Sequence, residues 1–247
     1  MGPRSFRVSV ALALQVLLAM PALAVGPAQL EPSGVNISDT AALQRGARLF
    51  VNYCLSCHSA DYMRYNRLAE DLDLGEELVM DNLVFRDAKI GETMSIAMDP
   101  EDADAWFGKA PPDLSLVGRA RGPDWLYAFL RSFYQDDAGG WNNTVLPNAA
   151  MPHVMWPLQG IARPVYATHR VGEREVQVIE KLELASPGSM TPEEYDGAVR
   201  DLATFLVYLS EPAQLKRKSI GIWVLLFLAV LVLLTYLLKA EYWRDVH

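Results

Sequence analysis

The chain has 247 residues, 30 of them acidic and 22 basic, for a formal net charge of −8 at neutral pH. Acid in this excess argues against nucleic acid as a partner and suits electrostatic steering of a basic protein. Two cysteines and four scattered histidines (His58, His153, His169 and His247) are too few and too dispersed for a closed zinc site.

Residues 1–24 carry Arg4 and Arg7, an apolar run from Val8 to Met20, and Ala22-Leu23-Ala24. That is the pattern of a secretory signal cleaved after Ala24. Its removal takes away two basic residues and no acid, deepening the net charge from −8 to −10. Residues 25–212 then amount to one soluble domain with enough chain for a sizeable core. Ser38 or Asp39 is placed to cap a helix from about Thr40 to Cys54. Gly46, Phe50 and Cys54 fall four apart on one face of it, and the glycine permits close approach of a second helix.

Cys54-Leu55-Ser56-Cys57-His58 follows, and this pentapeptide carries the chemistry. Two thiols two residues apart can add to both vinyl groups of one haem, while the adjoining histidine ligates its iron. A thioredoxin-like pair would open a helix within an alternating strand–helix pattern, and none precedes Cys54. A disulfide between the two would close a very small, strained loop. Downstream, Pro111-Pro112-Asp113-Leu114 is a stiff extended segment, one of whose carbonyls is suited to hold the second ring nitrogen of His58. Arg119 and Arg121 are of the type that pairs with haem propionates.

Pro123 to Tyr134 reads as a short amphipathic helix, and Val165 to Leu184 as a hairpin around Gly172. Met151, Met155, Met190 and His153 all lie far enough along the chain to return across the ring as a sixth ligand; Met151 stands in Asn148-Ala149-Ala150-Met151-Pro152, where small residues allow close approach. Thr191-Pro192-Glu193-Glu194 has the hydroxyl, proline and carboxylate of a helix start. The stripe Leu202, Phe205, Leu206 and Leu209 makes Pro192 to Leu209 the partner of the first helix. The rest of the domain reads as Pro- and Gly-rich loop.

After a linker at 213–219, Ile220 to Leu238 is an uncharged run long enough to cross a membrane, with Trp223, Tyr236, Tyr242 and Trp243 at its ends. Residues 239–247 form the tail. Lys216-Arg217-Lys218 before the span would by charge alone keep the domain in the cytoplasm. The signal sequence points the other way and is weighted above it, because long domains translocate largely regardless of charge. The expectation is an extracytoplasmic haem domain on a C-terminal anchor, its tail in the cytoplasm.

Taken in order, these residues resemble the cytochrome c1 family, the haem subunits of the cytochrome bc1 complex. The resemblance runs from about Ser38 to Tyr242. It rests on Arg45-Gly46, the Cys54–Ser59 motif with Asp61-Tyr62 and Tyr65, Ala110-Pro111-Pro112-Asp113-Leu114-Ser115, Arg119-Ala120-Arg121, Ala150-Met151-Pro152, Asp201 to Leu209, Glu211-Pro212 and Arg217-Lys218. It implies a mainly α, class I cytochrome c-like domain with loop and small hairpin insertions. It also implies one covalent haem c on Cys54 and Cys57, with His58 and Met151 as axial ligands, a carbonyl near Pro112 orienting His58, and Arg121 near a propionate. The implied role is an electron-transfer subunit rather than an enzyme on its own. It would receive electrons from a Rieske iron–sulfur subunit beside cytochrome b and pass them to a c-type cytochrome, in a dimeric complex of the bacterial inner membrane with the haem domain in the periplasm. The rival classes are a haem enzyme with an open iron position and a tethered carrier for a terminal oxidase.

Overall fold

A computed structural model describes residues 30–171 and 174–245. The signal segment 1–24, Gly172 at the hairpin turn and the last two residues of the tail lie outside the described residues. The unit Glu31–His247 is organised around two crossing helices. The first, α1 (Thr40–Tyr53), is capped by Asp39, whose carboxylate accepts the Ala42 N–H at 3.0 Å. The last helix of the domain, Pro192–Ser210, starts with a full capping box between Thr191 and Glu194.

The two helices meet at Gly46. Leu43, Ala47 and Phe50 on one side and Leu202, Phe205 and Leu206 on the other are buried, and the Phe50 and Phe205 rings sit 5.5 Å apart. Arg45 closes the edge of the crossing with a two-pronged pair to Asp201 at 2.6 and 3.0 Å. Near the end of the second helix, Tyr208 is fully buried and donates to Asp71 at 3.0 Å, which itself pairs with Arg67.

Between these helices the chain is more regular than its composition suggests. The strand β1 (Ala60–Arg64) pairs antiparallel with β2 (Thr93–Met94), and α2 (Tyr65–Asp71) and α3 (Glu76–Leu83) lie between them in sequence. Then come α4 (Pro100–Phe107), α5 (Val117–Arg121) and α6 (Pro123–Arg131). Four of these helices, α2 to α5, fall where the sequence reads as loop. They are short and lean on the core through a few residues each, such as Leu68 and Val79, so they carry little periodic signal.

The helix expected over 123–134 stops at Arg131. The Ser132 hydroxyl bonds back to the Ala128 carbonyl at 2.6 Å, and Phe133–Gln135 becomes β3, paired with β4 (Trp141–Asn143). Following α7 (Trp156–Gln159), the hairpin of β5 (Gly160–Val171) and β6 (Arg174–Pro187) is longer than expected, because pairing runs back to Gly160 opposite Pro187. The Pro192–Ser210 helix is α8 in this order. The segment expected as a linker is helical from Gln214 onward and continuous with the apolar run, forming α9 (Gln214–Tyr242). Within it Ser219–Tyr242 has a mean hydropathy of 2.8, and its 24 residues extend about 36 Å, enough for a hydrocarbon core.

The start of α6 yields a pH prediction. Asp124 accepts the Ser33 N–H at 2.8 Å and its hydroxyl at 2.7 Å, bonds that hold its carboxyl below the usual carboxylate range. A depressed folded-state value stabilises above the unfolded pKa and is lost as pH falls through the folded one. Ser33→Ala is therefore expected to lower stability at neutral pH and to flatten the acid limb of a denaturation-midpoint-against-pH curve. An unchanged acid limb would mean that the Ser33 hydroxyl adds nothing to the shift and that the backbone N–H bond alone sets it.

Candidate haem site

The site begins where α1 ends. The Cys54 N–H still closes the helix on the Phe50 carbonyl at 2.8 Å, and the chain then turns back. Both the Cys57 and His58 N–H groups donate to the Cys54 carbonyl, at 3.0 and 2.9 Å. One carbonyl thus gathers two thiols and an imidazole onto a single turn. Both cysteines are free thiols, Cys54 buried and Cys57 half-buried. Burial, with Cys57 nearby, pushes the Cys54 thiol up to about 12.

His58 is half-buried with its Nδ1 2.7 Å from the Pro112 carbonyl oxygen. A carbonyl only accepts, so Nδ1 carries the proton, and Nε2 presents a lone pair with no hydrogen-bond partner among the described residues. Burial lowers the imidazole pKa against the opposing pull of the Pro112 carbonyl and Asp113. The ring is a neutral base aimed by its neighbour, as a metal-ligating histidine requires.

The proline segment is stitched to the turn at several further points. Leu114 N–H donates to the Ser59 carbonyl at 2.8 Å, Asp61 N–H to Asp113 Oδ2 at 2.9 Å, and Tyr62 N–H to Ser115 Oγ at 3.1 Å. Asp113 also accepts the Ser115 N–H at 2.7 Å. Asp113 and Ser115 enter the sequence reading only as members of the Ala110–Ser115 segment, without these bonding roles.

The candidate sixth ligands separate by burial. Met155 is 1% exposed inside the core. His153 is 3% exposed, and burial pushes its imidazole down to about 4 against a raising contact from Gln159. Met151 and Met190 are half-buried and pack on the core rim. The loop leading to Met151 is fixed by two asparagines that sequence reading missed. Buried Asn143 holds the Val145 and Leu146 N–H groups at 2.8 and 3.0 Å, and Asn142 holds that of Asn148 at 2.8 Å. Asn148 itself is left-handed (φ 61°).

The two arginines also differ. Arg119 lies 3.6 Å from Glu211, whereas Arg121 is exposed, lies 4.8 Å over the Trp125 ring and forms no ion pair among the described residues. The structure therefore joins Cys54, Cys57, His58 and Pro112 directly. It carries Arg121 on the helix just beyond the proline segment, and joins neither Arg121 nor Met151 to the turn by a hydrogen bond or ion pair. Leu55 on the turn and Leu114 on the proline segment are half-buried apolar residues packed against the core, as are Val117, Val145, Ala149 and Met151. Two thiols, a free Nε2 and an apolar rim fit a covalently held porphyrin.

The Cytochrome C1 family profile matches residues 33–246. The chain belongs to the cytochrome c1 family. Among its relatives, cytochrome c1 of Allochromatium vinosum is 49% identical over 241 residues, covering 96% of this chain and 98% of the relative. A protein named ammonia monooxygenase gamma subunit, from Nitrosomonas europaea, is 45% identical over 89% of each chain. The cytochrome b/c1 of Bradyrhizobium diazoefficiens is 26% identical over 85% of this chain, which spans 34% of that longer protein. Cytochrome c1 proteins carry one covalently bound haem c and serve as electron-carrying subunits, not as enzymes on their own.

Proposed function

We propose that the chain is the haem subunit of a bacterial bc1-type complex, taking electrons from a Rieske iron–sulfur subunit and passing them to a c-type cytochrome. The observation that carries this reading is the Cys54–His58 turn, with Nδ1 tied to Pro112 at 2.7 Å and Nε2 free. The haem supplies a one-electron couple when bound. Cys54 and Cys57 would hold it covalently, and His58 and Met151 would supply the two side-chain ligands to its iron, which would leave no open position for a substrate. The Pro112 carbonyl keeps His58 in the ligating tautomer. Arg121, with no carboxylate partner among the described residues, would pair with a propionate. The α1–α8 crossing with α6 beside it is read as the class I cytochrome c core.

A neighbouring cytochrome b is supported by the Bradyrhizobium relative, whose name joins b and c1 in one protein. The dimer rests on the family resemblance alone. The anchor is the apolar span of α9, with the domain in the periplasm and the tail past residue 238 in the cytoplasm, in the bacterial inner membrane. The relative named for ammonia monooxygenase supports a second assembly for the same carrier. Purification from native membranes distinguishes them. The first reading expects residues 25–247 plus the mass of one haem, copurifying with b-type haems and a Rieske centre. A polypeptide of bare amino-acid mass overturns the haem assignment, and copurification with an oxidase or monooxygenase instead overturns the bc1 assignment.

A further inference from the structure

His153 stands two residues beyond Met151, separated from it only by Pro152, whose ring fixes its own φ and restricts the backbone of Met151. Its imidazole stacks on Phe133 at 5.0 Å with planes 6° apart. It meets Trp141 edge-on at 5.4 Å and Tyr195 at 6.4 Å. These walls come from three elements, β3, β4 and α8. Each is anchored in turn: β3 pairs with β4, and the Tyr195 hydroxyl donates to the Leu130 carbonyl at 2.9 Å. His153 Nε2 and Gln159 Oε1 are buried without a well-formed hydrogen bond, so the slot grips the ring by its faces rather than by its nitrogens. The column continues from Phe133 to Phe129 at 5.0 Å, then to Trp125 at 4.8 Å, with Arg121 over Trp125. One run of contacting rings, stacked at His153–Phe133 and Trp125–Phe129 and edge-on at Phe129–Phe133, thus ties the methionine loop to the arginine assigned to a propionate.

We propose that His153 is the positioning residue for the Met151 thioether: its ring, clamped between Phe133, Trp141 and Tyr195, fixes where the sulfur is presented. This rests on the reading of Met151 as the sixth ligand. A half-buried methionine on a proline loop has several rotamers and no anchor of its own, whereas a ring locked on three sides two residues away leaves the loop one path. A histidine that merely filled the core would leave the sulfur's placement indifferent to its loss.

The test uses the full-length holoprotein in membranes and reads three things: covalent haem content, the methionine-to-iron charge-transfer band of the oxidised form, and carbon monoxide binding to the reduced form. His153→Ala is expected to keep its haem but lose most of the band and admit carbon monoxide. His153→Phe, which restores a flat ring to the slot, is expected to regain the band. Should His153→Ala fail to accumulate, Trp141→Ala removes only the half-exposed wall and is expected to weaken the band with haem content intact. A full band in either alanine variant overturns the proposal, and so does a His153→Phe variant as defective as alanine. Met151→Leu is the companion control. If it keeps the band, the ligand assignment itself has failed; if it loses the band while the His153 and Trp141 variants keep it, only the positioning role has.

Discussion

Met151→Leu is expected to convert a closed haem into an open one with little cost to the fold. The side chain is half-buried at the rim, and Met-to-Leu nearly conserves volume, so the stability loss is expected to stay below about 1.5 kcal/mol. The chemical effect is much larger. A thioether donor raises the potential of a histidine-ligated haem, and axial ligation spans about 0.8 V across haem proteins. The variant's midpoint should fall by a substantial part of that range, and its reduced form should bind carbon monoxide, because leucine has no lone pair to hold the position. Redox titration beside a carbon monoxide difference spectrum measures both. A normal potential with no carbon monoxide binding would transfer the ligand to Met190, the other methionine half-open at the rim. Met155 and His153 are poor heirs, since each would have to leave a site where it is at most 3% exposed.

What the sequence made legible was whatever is encoded locally or by helical period. The caps at Asp39 and Thr191, the stripe Leu202 to Leu209 and the shared face of Gly46, Phe50 and Cys54 depend on residues within a turn or two of each other, and they appear as expected. The Cys54–His58 turn is a contiguous motif, so its chemistry could be read before any fold was known. The parts that escaped are tertiary. Asp113 reaches the Asp61 N–H across 52 positions, and Asn143 holds the Phe129 carbonyl across 14, and neither spacing leaves a periodic trace. His153 reads as one candidate ligand among four until its aromatic walls, drawn from positions 133, 141 and 195, close around it. The hairpin exceeds the expected Val165 to Leu184 because the added stretches carry Gly160, Pro164 and Pro187, residues that read as loop yet pair across the strands. The segment 213–219, expected as a linker, lies largely within α9, because Gln214 to Ser219 hold no proline or glycine to stop a helix that the apolar run continues.

The other large effect concerns one substitution made at two sites. Gly46→Ala is expected to destabilise the domain severely, while Gly197→Ala on the facing helix is expected to be neutral or to stabilise it. In a helix interior, replacing glycine by alanine ordinarily gains about 0.5–1 kcal/mol, because the unfolded chain loses freedom it would otherwise have to surrender. Gly197 has nothing within 4 Å of a new Cβ, so that gain is all it should show. At Gly46 the same methyl would lie 2.7 Å from Phe205 Cβ and closer still to the Asp201 carbonyl oxygen. Both obstacles are backbone or backbone-adjacent and cannot rotate away, so α1 and α8 must separate. Overpacking of this kind costs roughly 1–3 kcal/mol and occasionally more. Here it would also disturb the Phe50–Phe205 contact and the Arg45–Asp201 pair beside it. The clash outweighs the entropic gain, and a net loss of about 2 kcal/mol or more is expected in denaturant unfolding of the purified holoprotein. The damage should also reach the haem, because Cys54 ends the helix that must move: Gly46→Ala is expected to incorporate less covalent haem, and Gly197→Ala a normal amount. Equal unfolding midpoints for the two variants would mean that the α1–α8 contact at Gly46 is looser than described, and that the Cys54–His58 turn takes its position from the Pro112 segment instead.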